Sequence, residues 1–219
     1  MTMTRALIVD DHTITRAGLR RILSDAGQSI VVGEAANGTQ ALEMVMAEQW
    51  DIVMLDISLP DRSGLEVLKA IKKSRPALPV LVLSMYPVDQ YALRVLRAGG
   101  AGYLTKESAP DQLLEAVHRV TSGMRYITPE VAECIAQDWN RNPIQSVHET
   151  LSDREFEVMR LIASGKSVGD IAKELTLSVK TAETYRVRLT RKLGVKSRSE
   201  LFRYAFEVGM VGPDQLQVQ

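Results

Sequence analysis

Four short apolar runs in the first half of the chain each stop at a polar residue. Ala6-Leu7-Ile8-Val9 leads into Asp10-Asp11, and Ile52-Val53-Met54-Leu55 into Asp56. Val80-Leu81-Val82-Leu83 leads into Ser84, and Gly102-Tyr103-Leu104-Thr105 into Lys106. Runs this short, rich in Val, Ile and Leu and set between helical patterns, read as strands buried on both faces of a parallel sheet. A further strand is expected over 30–34. Between the strands, apolar residues recur with helical period over about 13–26, 38–48, 65–73, 88–98 and 111–122. Turn chemistry falls between these elements: Asn37-Gly38, the loop holding Pro60, Asp61 and Gly64, Pro79, and Gly99-Gly100. Pro110 suits the first turn of the last helix. Five βα units of this length predict a doubly wound α/β domain with right-handed crossovers.

The pattern then changes. Thr128-Pro129-Glu130 has the composition of a helix start, a short helix is expected over 131–139, and Asn140 to Pro143 breaks it. From Leu151 onward no strand pattern remains. Ser152 and Glu155 have the spacing of a capping box, and apolar residues of helical period follow them. Further helices are expected over 168–175, 180–193 and 199–208. Between the second and third of these four lies the short turn Thr176-Leu177-Ser178, with Ser178 as N-cap. Two helices joined by so short a turn describe a helix-turn-helix. The expected fold is therefore α/β plus all-α: a (βα)5 parallel-sheet domain over 1–124, a linker with a short helix over 125–149, and a four-helix domain over 150–219.

Composition changes this picture little, and charge changes it more. At 219 residues, 45% of them hydrophobic and 25% charged, the chain has room for two ordinary globular cores. No apolar stretch approaches the ~20 residues of a membrane span, and no membrane partner is expected. The N-terminus has no basic region followed by an apolar one, so no signal peptide is expected. The lone cysteine, Cys134, excludes an internal disulfide framework and fits a cytoplasmic location. Net charge is zero, yet residues 150–219 hold 12 Lys and Arg against 9 Asp and Glu. Residues 180–198 alone hold seven basic residues and one acidic. A neutral chain with one local basic stripe points to a polyanion partner at that end.

Ligands of open parallel sheets bind just beyond the carboxyl ends of the strands. Asp10, Asp11, Asp56, Ser84 and Lys106 all stand at such ends, so three carboxylates, a hydroxyl and an ammonium converge on one crevice. Adjacent carboxylates form a hard oxygen site of the kind Mg2+ takes, completed by waters and phosphate oxygens. An unneutralised acidic trio would also repel itself. Within it, Asp56 is placed to attack a phosphoryl group and form an aspartyl phosphate. Lys106 would neutralise the phosphoryl oxygens and Ser84 would donate a hydrogen bond to one of them. On the helix over 180–193, Ala182, Leu189 and Leu193 form an apolar stripe. Lys180, Glu183, Thr184, Val187 and Arg191 fall on the opposite side, with Arg188 flanking. Such a mixed face suits a DNA major groove, with basic residues on phosphates and Glu, Thr and Val on base edges or methyl groups.

These residues carry a family resemblance at both ends. Asp10-Asp11, Asp56, Ser84 and Lys106, with the spacing Asp56, Pro60, Gly64, resemble the receiver domain of bacterial two-component response regulators over about 4–123. The resemblance implies Mg2+-dependent phosphorylation of Asp56 by a sensor histidine kinase. It makes Asp11, Asp56 and the backbone carbonyl of Ser58 metal ligands, with Asp10 acting through water. It makes Ser84 the switch hydroxyl and Tyr103 the aromatic that reorients with it, changing the face made by the fourth helix, fifth strand and fifth helix. The segment Leu151 to Val158, then Ile171-Ala172, Ser178-Val179-Lys180-Thr181 and Lys192-Leu193-Gly194-Val195, is similar to the LuxR-type DNA-binding domain. Together they resemble the NarL/FixJ class. By that resemblance Lys180 and Thr181 enter near the DNA backbone, while Glu183, Thr184 and Val187 are specificity candidates. Leu201, Tyr204, Ala205 and Val208 would form a dimerisation surface, so the expected partners are double-stranded promoter DNA bound as a homodimer, and RNA polymerase.

The function expected is a phosphorylation-activated, sequence-specific transcriptional regulator, not an enzyme beyond promoting its own phosphorylation and slow dephosphorylation. One alternative is a DNA-binding regulator that acts independently of phosphorylation. Another is a phosphoaspartate-forming phosphohydrolase, which should carry an aspartate two residues after its nucleophile, where this chain has Ser58.

Overall fold

In the computed structural model, residues 3–25, 30–139 and 150–207 are described. The chain divides into two units, residues 1–139 and 140–219. In the first, strands β1 (Thr4–Val9), β2 (Ile30–Ala35), β3 (Ile52–Asp56), β4 (Val80–Ser84) and β5 (Gly102–Thr105) pair in the order β2-β1-β3-β4-β5, all parallel. Helices α1 (Thr13–Asp25), α2 (Gly38–Ala47), α3 (Gly64–Ser74), α4 (Val88–Arg97) and α5 (Pro110–Thr121) alternate with them. The doubly wound arrangement expected from the alternating pattern is the one adopted.

Side chains alternate across the sheet, so each central strand feeds two cores. Ala6, Ile8, Ile52, Met54, Leu81 and Leu83 pack with Leu23 of α1 and with Leu113, Ala116, Val117 and Val120 of α5. The intervening Leu7, Val9, Val53, Leu55 and Val82 are equally buried and face the other helical layer. Burial on both faces is why these runs read as unbroken apolar stretches.

Two devices fix the loop after β3. Asp61 accepts from the Gly38 and Thr39 N–H groups at 2.9 and 2.8 Å and from the Thr39 hydroxyl at 2.6 Å, tying the loop to the first turn of α2. Burial alone would raise the Asp61 carboxyl; those hydrogen bonds outweigh it and hold it below the usual range. At the loop's far end Gly64 donates to the Ile57 carbonyl at 2.8 Å, and any Cβ there would run into the Asp56 carbonyl oxygen.

The sequence reading assigns 125–149 to a linker. The helix in it, α6 (Pro129–Trp139), packs instead on α4, and Arg97 pairs with Asp138 at 2.7 Å. Val131 is fully buried in that contact face, so the first unit extends to Trp139. Residues 140–149, the rest of the expected linker, lie outside the described residues.

The second unit contains α7 (Asp153–Ala163), α8 (Val168–Glu174), α9 (Val179–Leu193) and α10 (Arg198–Glu207). The capping box closes as expected: Glu155 N–H donates to Ser152 Oγ at 3.3 Å, and Ser152 N–H to Glu155 Oε2 at 2.7 Å. Lys192 of α9 reaches the same carboxylate at 2.6 Å, joining the start of α7 to the end of α9. Between α8 and α9, Leu177 N–H donates to Ala172 and Thr176 N–H to Lys173, the bond pair of a Schellman turn. Its left-handed position, where glycine is usual, is occupied by Thr176 at φ 52°.

Candidate phosphoacceptor site and DNA-reading helix

One register step beyond Val9↔Leu55 brings Asp10 level with Asp56 at the carboxyl edge of the sheet. Both carboxylates are almost wholly buried, at 1% and 2% exposure. Lys106, the first residue after β5, places its ammonium 2.6 Å from Asp56 Oδ2 and 2.7 Å from Asp10 Oδ2. The other oxygens also have partners: Asp10 Oδ1 accepts from the His12 N–H at 2.8 Å, and Asp56 Oδ1 from the Ser58 N–H at 3.1 Å. Arg16 of α1 holds the Asp10 carbonyl at 2.7 Å and pairs with Glu34 at 3.1 Å, which secures the β1–α1 turn.

Burial, opposed only in part by Lys106 and reinforced by Asp10, raises the Asp56 carboxyl to about 6. Burial also disfavours the Lys106 ammonium, but Asp56 and Asp10 outweigh this and raise it. One ammonium thus faces two buried carboxylates, and Asp11 brings a third carboxylate to the cluster. Ligand atoms from Asp10, Asp11, His12 and Asp56 all lie within 4.8 Å of one another. A donor set this oxygen-rich, with negative charge in excess, fits a divalent cation.

The two residues expected to switch meet at one neighbour. Ser84 is fully buried, and its Oγ accepts from the Tyr86 N–H at 3.1 Å. Tyr103, fully buried on β5, donates its hydroxyl to the Tyr86 carbonyl at 2.7 Å. The Tyr86 ring stacks on Tyr91 of α4 with centroids 5.2 Å apart, and the Ser58 hydroxyl donates to the Tyr86 hydroxyl at 3.2 Å. Tyr86 and His12 are the site residues that sequence reasoning missed. Their signal was position alone: two residues beyond the strand-end Ser84, and next to Asp11. Ser58 offers a hydroxyl engaged with Tyr86, not the carboxyl acid that a phosphohydrolase needs.

In the second unit, α9 starts at its Ser178 cap, with Thr181 N–H donating at 3.0 Å, and ends at Gly194 in the left-handed conformation. Ala182 and Leu189 are fully buried and anchor the helix on α7 and α8. Lys180, Thr184, Val187, Arg188 and Arg191 are exposed along it. Val187, 41% exposed, places an apolar side chain among them. Thr181 is half-buried beside Ser178, and Glu183 is held by both Nε and Nη2 of Arg186.

The residues expected to form a dimerisation surface divide differently. Leu201 and Ala205 are 2% and 0% exposed because α10 turns this face onto α7. They are core of their own chain and cannot at the same time cover a second one. Tyr204 is half-buried, and Val208 lies outside the described residues.

Residues 6–118 match the response regulator receiver domain, and residues 149–205 match the bacterial regulatory proteins of the luxR family. Response regulator UvrY of Escherichia coli O6:H1 is 36% identical over 99% of this chain and all of its own length. Response regulator GacA of Pseudomonas aeruginosa is 35% identical over 95% of this chain and 98% of its own. Among solved structures, RcsB of Salmonella enterica serovar Typhimurium, bound to promoter P1flhDC in the presence of the phosphomimetic BeF3-, is similar with a TM-score of 0.63 and 28% identity. That likeness covers 96% of this chain and all of the other. Receiver domains bind Mg2+ at an acidic pocket, and the Asp10, Asp11 and Asp56 cluster is the pocket of that kind in this chain. Matched end to end by such relatives, the chain belongs to the NarL/FixJ class of response regulators, DNA-binding transcriptional regulators in which a receiver domain is joined to a LuxR-type helix-turn-helix domain.

Proposed function

We propose that Asp56 accepts a phosphoryl group from a sensor histidine kinase and that this controls promoter binding by α9. The observation that carries the reading is the buried Asp56 carboxylate bonded to Lys106, with Asp10 sharing the same ammonium. An Asp56 oxygen attacks phosphorus, the P–N bond of the kinase's phosphohistidine breaks, and its electron pair leaves with the imidazole. Lys106 stays beside the transferred group and neutralises its oxygens. Asp10, Asp11, Asp56 and the Ser58 carbonyl would hold Mg2+, which when bound supplies further charge neutralisation. No carboxyl acid stands at position 58 to speed hydrolysis, so the receiver's own dephosphorylation is slow.

The new oxygens give the Ser84 hydroxyl an acceptor on the Asp56 side. Turning toward it draws Ser84 away from the Tyr86 N–H, and Tyr103 then loses the carbonyl it holds. Phosphorylation biases two states by the difference in these contacts. The functional modules are residues 1–124 and 150–219, joined through 125–149, with α6 resting on α4. On DNA, Lys180, Thr181, Arg188 and Arg191 engage phosphates while Glu183, Thr184 and Val187 read bases. A homodimer would read paired half-sites, and RNA polymerase is the partner through which binding alters transcription.

The test is incorporation of labelled phosphate from the phosphorylated kinase into the full chain with Mg2+ present. Wild type is expected to take up label and Asp56→Asn none; label on Asp56→Asn would overturn the site.

A further inference from the structure

The β5 edge of the sheet is not left open. After α5 the chain turns at Gly123, at φ 82°, and passes beside β5. The Tyr126 N–H donates to the Ala101 carbonyl at 2.8 Å, and Tyr126 forms a parallel bridge with Gly102. The two backbones lie so close that a Cβ on Gly102 would stand 2.8 Å from the Tyr126 carbonyl oxygen. Tyr126 itself is buried in the same core as Leu81 and Leu104. Three residues later α6 begins and packs on α4, with Val131 fully buried and Asp138 paired with Arg97. Residues 124–139 thus form one strap over the sheet edge and α4.

Both supports of that strap carry a residue engaged with Tyr86. On β5, Tyr103 follows Gly102 and donates its hydroxyl to the Tyr86 carbonyl. On α4, the fully buried Tyr91 stacks on the Tyr86 ring. The Tyr86 N–H in turn donates to the Ser84 hydroxyl. A change that draws Ser84 away from Tyr86 therefore reaches α4 and β5 together. Close-packed interfaces do not deform smoothly, so a moved α4 offers α6 a poorer seat. The Arg97–Asp138 pair is partly exposed, and such pairs add little, so the seat depends mainly on the apolar packing at Val131. A helix of eleven residues is also too short to be stable by itself.

We propose that residues 124–139 are the receiver's output element, and that phosphorylation of Asp56 loosens α6 from α4. This rests on the reading of Asp56 as the phosphoacceptor. In the unmodified chain α6 is held on the face that the switch moves. It is also the last element of the first unit, so its release is handed along the chain to the DNA-reading unit. Linkage makes the coupling reciprocal: whatever loosens α6 must also favour the phosphorylated arrangement.

The test uses the full chain with MgCl2 and the phosphomimetic BeF3-, followed by calorimetry and by amide hydrogen exchange. With BeF3- bound, the α6 amides are expected to exchange at least about tenfold faster, while those of β1 and β3 change by less than about twofold. Val131→Ala, which trims the seat, should loosen α6 by a similar factor without BeF3- and bind BeF3- about threefold or more tightly. Arg97→Ala, at the surface of α4, should move both readings in the same direction by a smaller factor. Unchanged α6 exchange with BeF3- bound would overturn the proposal. So would variants that loosen α6 yet bind BeF3- no more tightly, the mark of a merely structural contact. BeF3- binding that persists in Asp56→Asn, or is absent from wild type, would instead overturn the phosphoacceptor reading beneath it.

Discussion

The Tyr103 hydroxyl donates to the Tyr86 carbonyl at 2.7 Å, while the Tyr86 N–H donates to the Ser84 hydroxyl. Both residues proposed to switch thus hold the two ends of one residue. Tyr103→Phe keeps the buried ring and removes that donor. Urea unfolding should show a loss of about 1 kcal/mol. A loss near zero would mean that the tyrosine hydroxyl does not anchor the β4–α4 loop.

Ionising Asp56 opposes folding. Its folded-state value of about 6 lies above the ordinary aspartate value of 3.8, so between these values the folded chain holds a proton that the unfolded chain has released. The stability this contributes is present below about pH 4 and lost as pH rises through 6, on the order of 3 kcal/mol in all. In EDTA, wild type should therefore lose stability relative to Asp56→Asn between pH 4 and 7. Thermal melts of both proteins across that range check it, and parallel curves would contradict it.

On DNA, Lys180→Ala with Arg188→Ala should weaken binding to all sequences alike. Each lost phosphate contact removes about 0.9 from the slope of log K against log salt, so the double variant should flatten it by about 2. Titrations at several salt concentrations read this directly, and an unchanged slope would remove α9 from the phosphate backbone.

Thr176 sits at φ 52° with a branched side chain. Thr176→Gly should raise stability by about 0.5–1 kcal/mol, the relief of left-handed strain exceeding the added chain entropy. Denaturant midpoints decide the sign.

Much of this was legible because the first unit is built from local signals that agree. Buried strands made apolar runs, and the register of a parallel sheet carried their polar ends to one edge. What was not legible depended on facing rather than on period. The helix at 129–139 has apolar residues on two sides: Val131 is buried against α4 while Trp139 is 88% exposed. A helix this short does not declare which side will be covered. Leu201 and Ala205 show the same limit, since an apolar stripe looks alike whether it meets its own core or another chain. Tyr86 was missed because it acts through its backbone at a loop position that no pattern marks.

The loop from Asp56 to Gly64 is fastened at both ends, by Asp61 on the first turn of α2 and by Gly64 folded against the Asp56 carbonyl. Its conformational freedom is already lost when the chain folds. A kinase that donates to Asp56, as proposed, would meet a rigid acceptor, and the encounter need not order this segment before the transfer. A side chain at position 64, whose Cβ would run into the Asp56 carbonyl oxygen, would act on signalling by displacing that mount while leaving every strand of the sheet its own sequence.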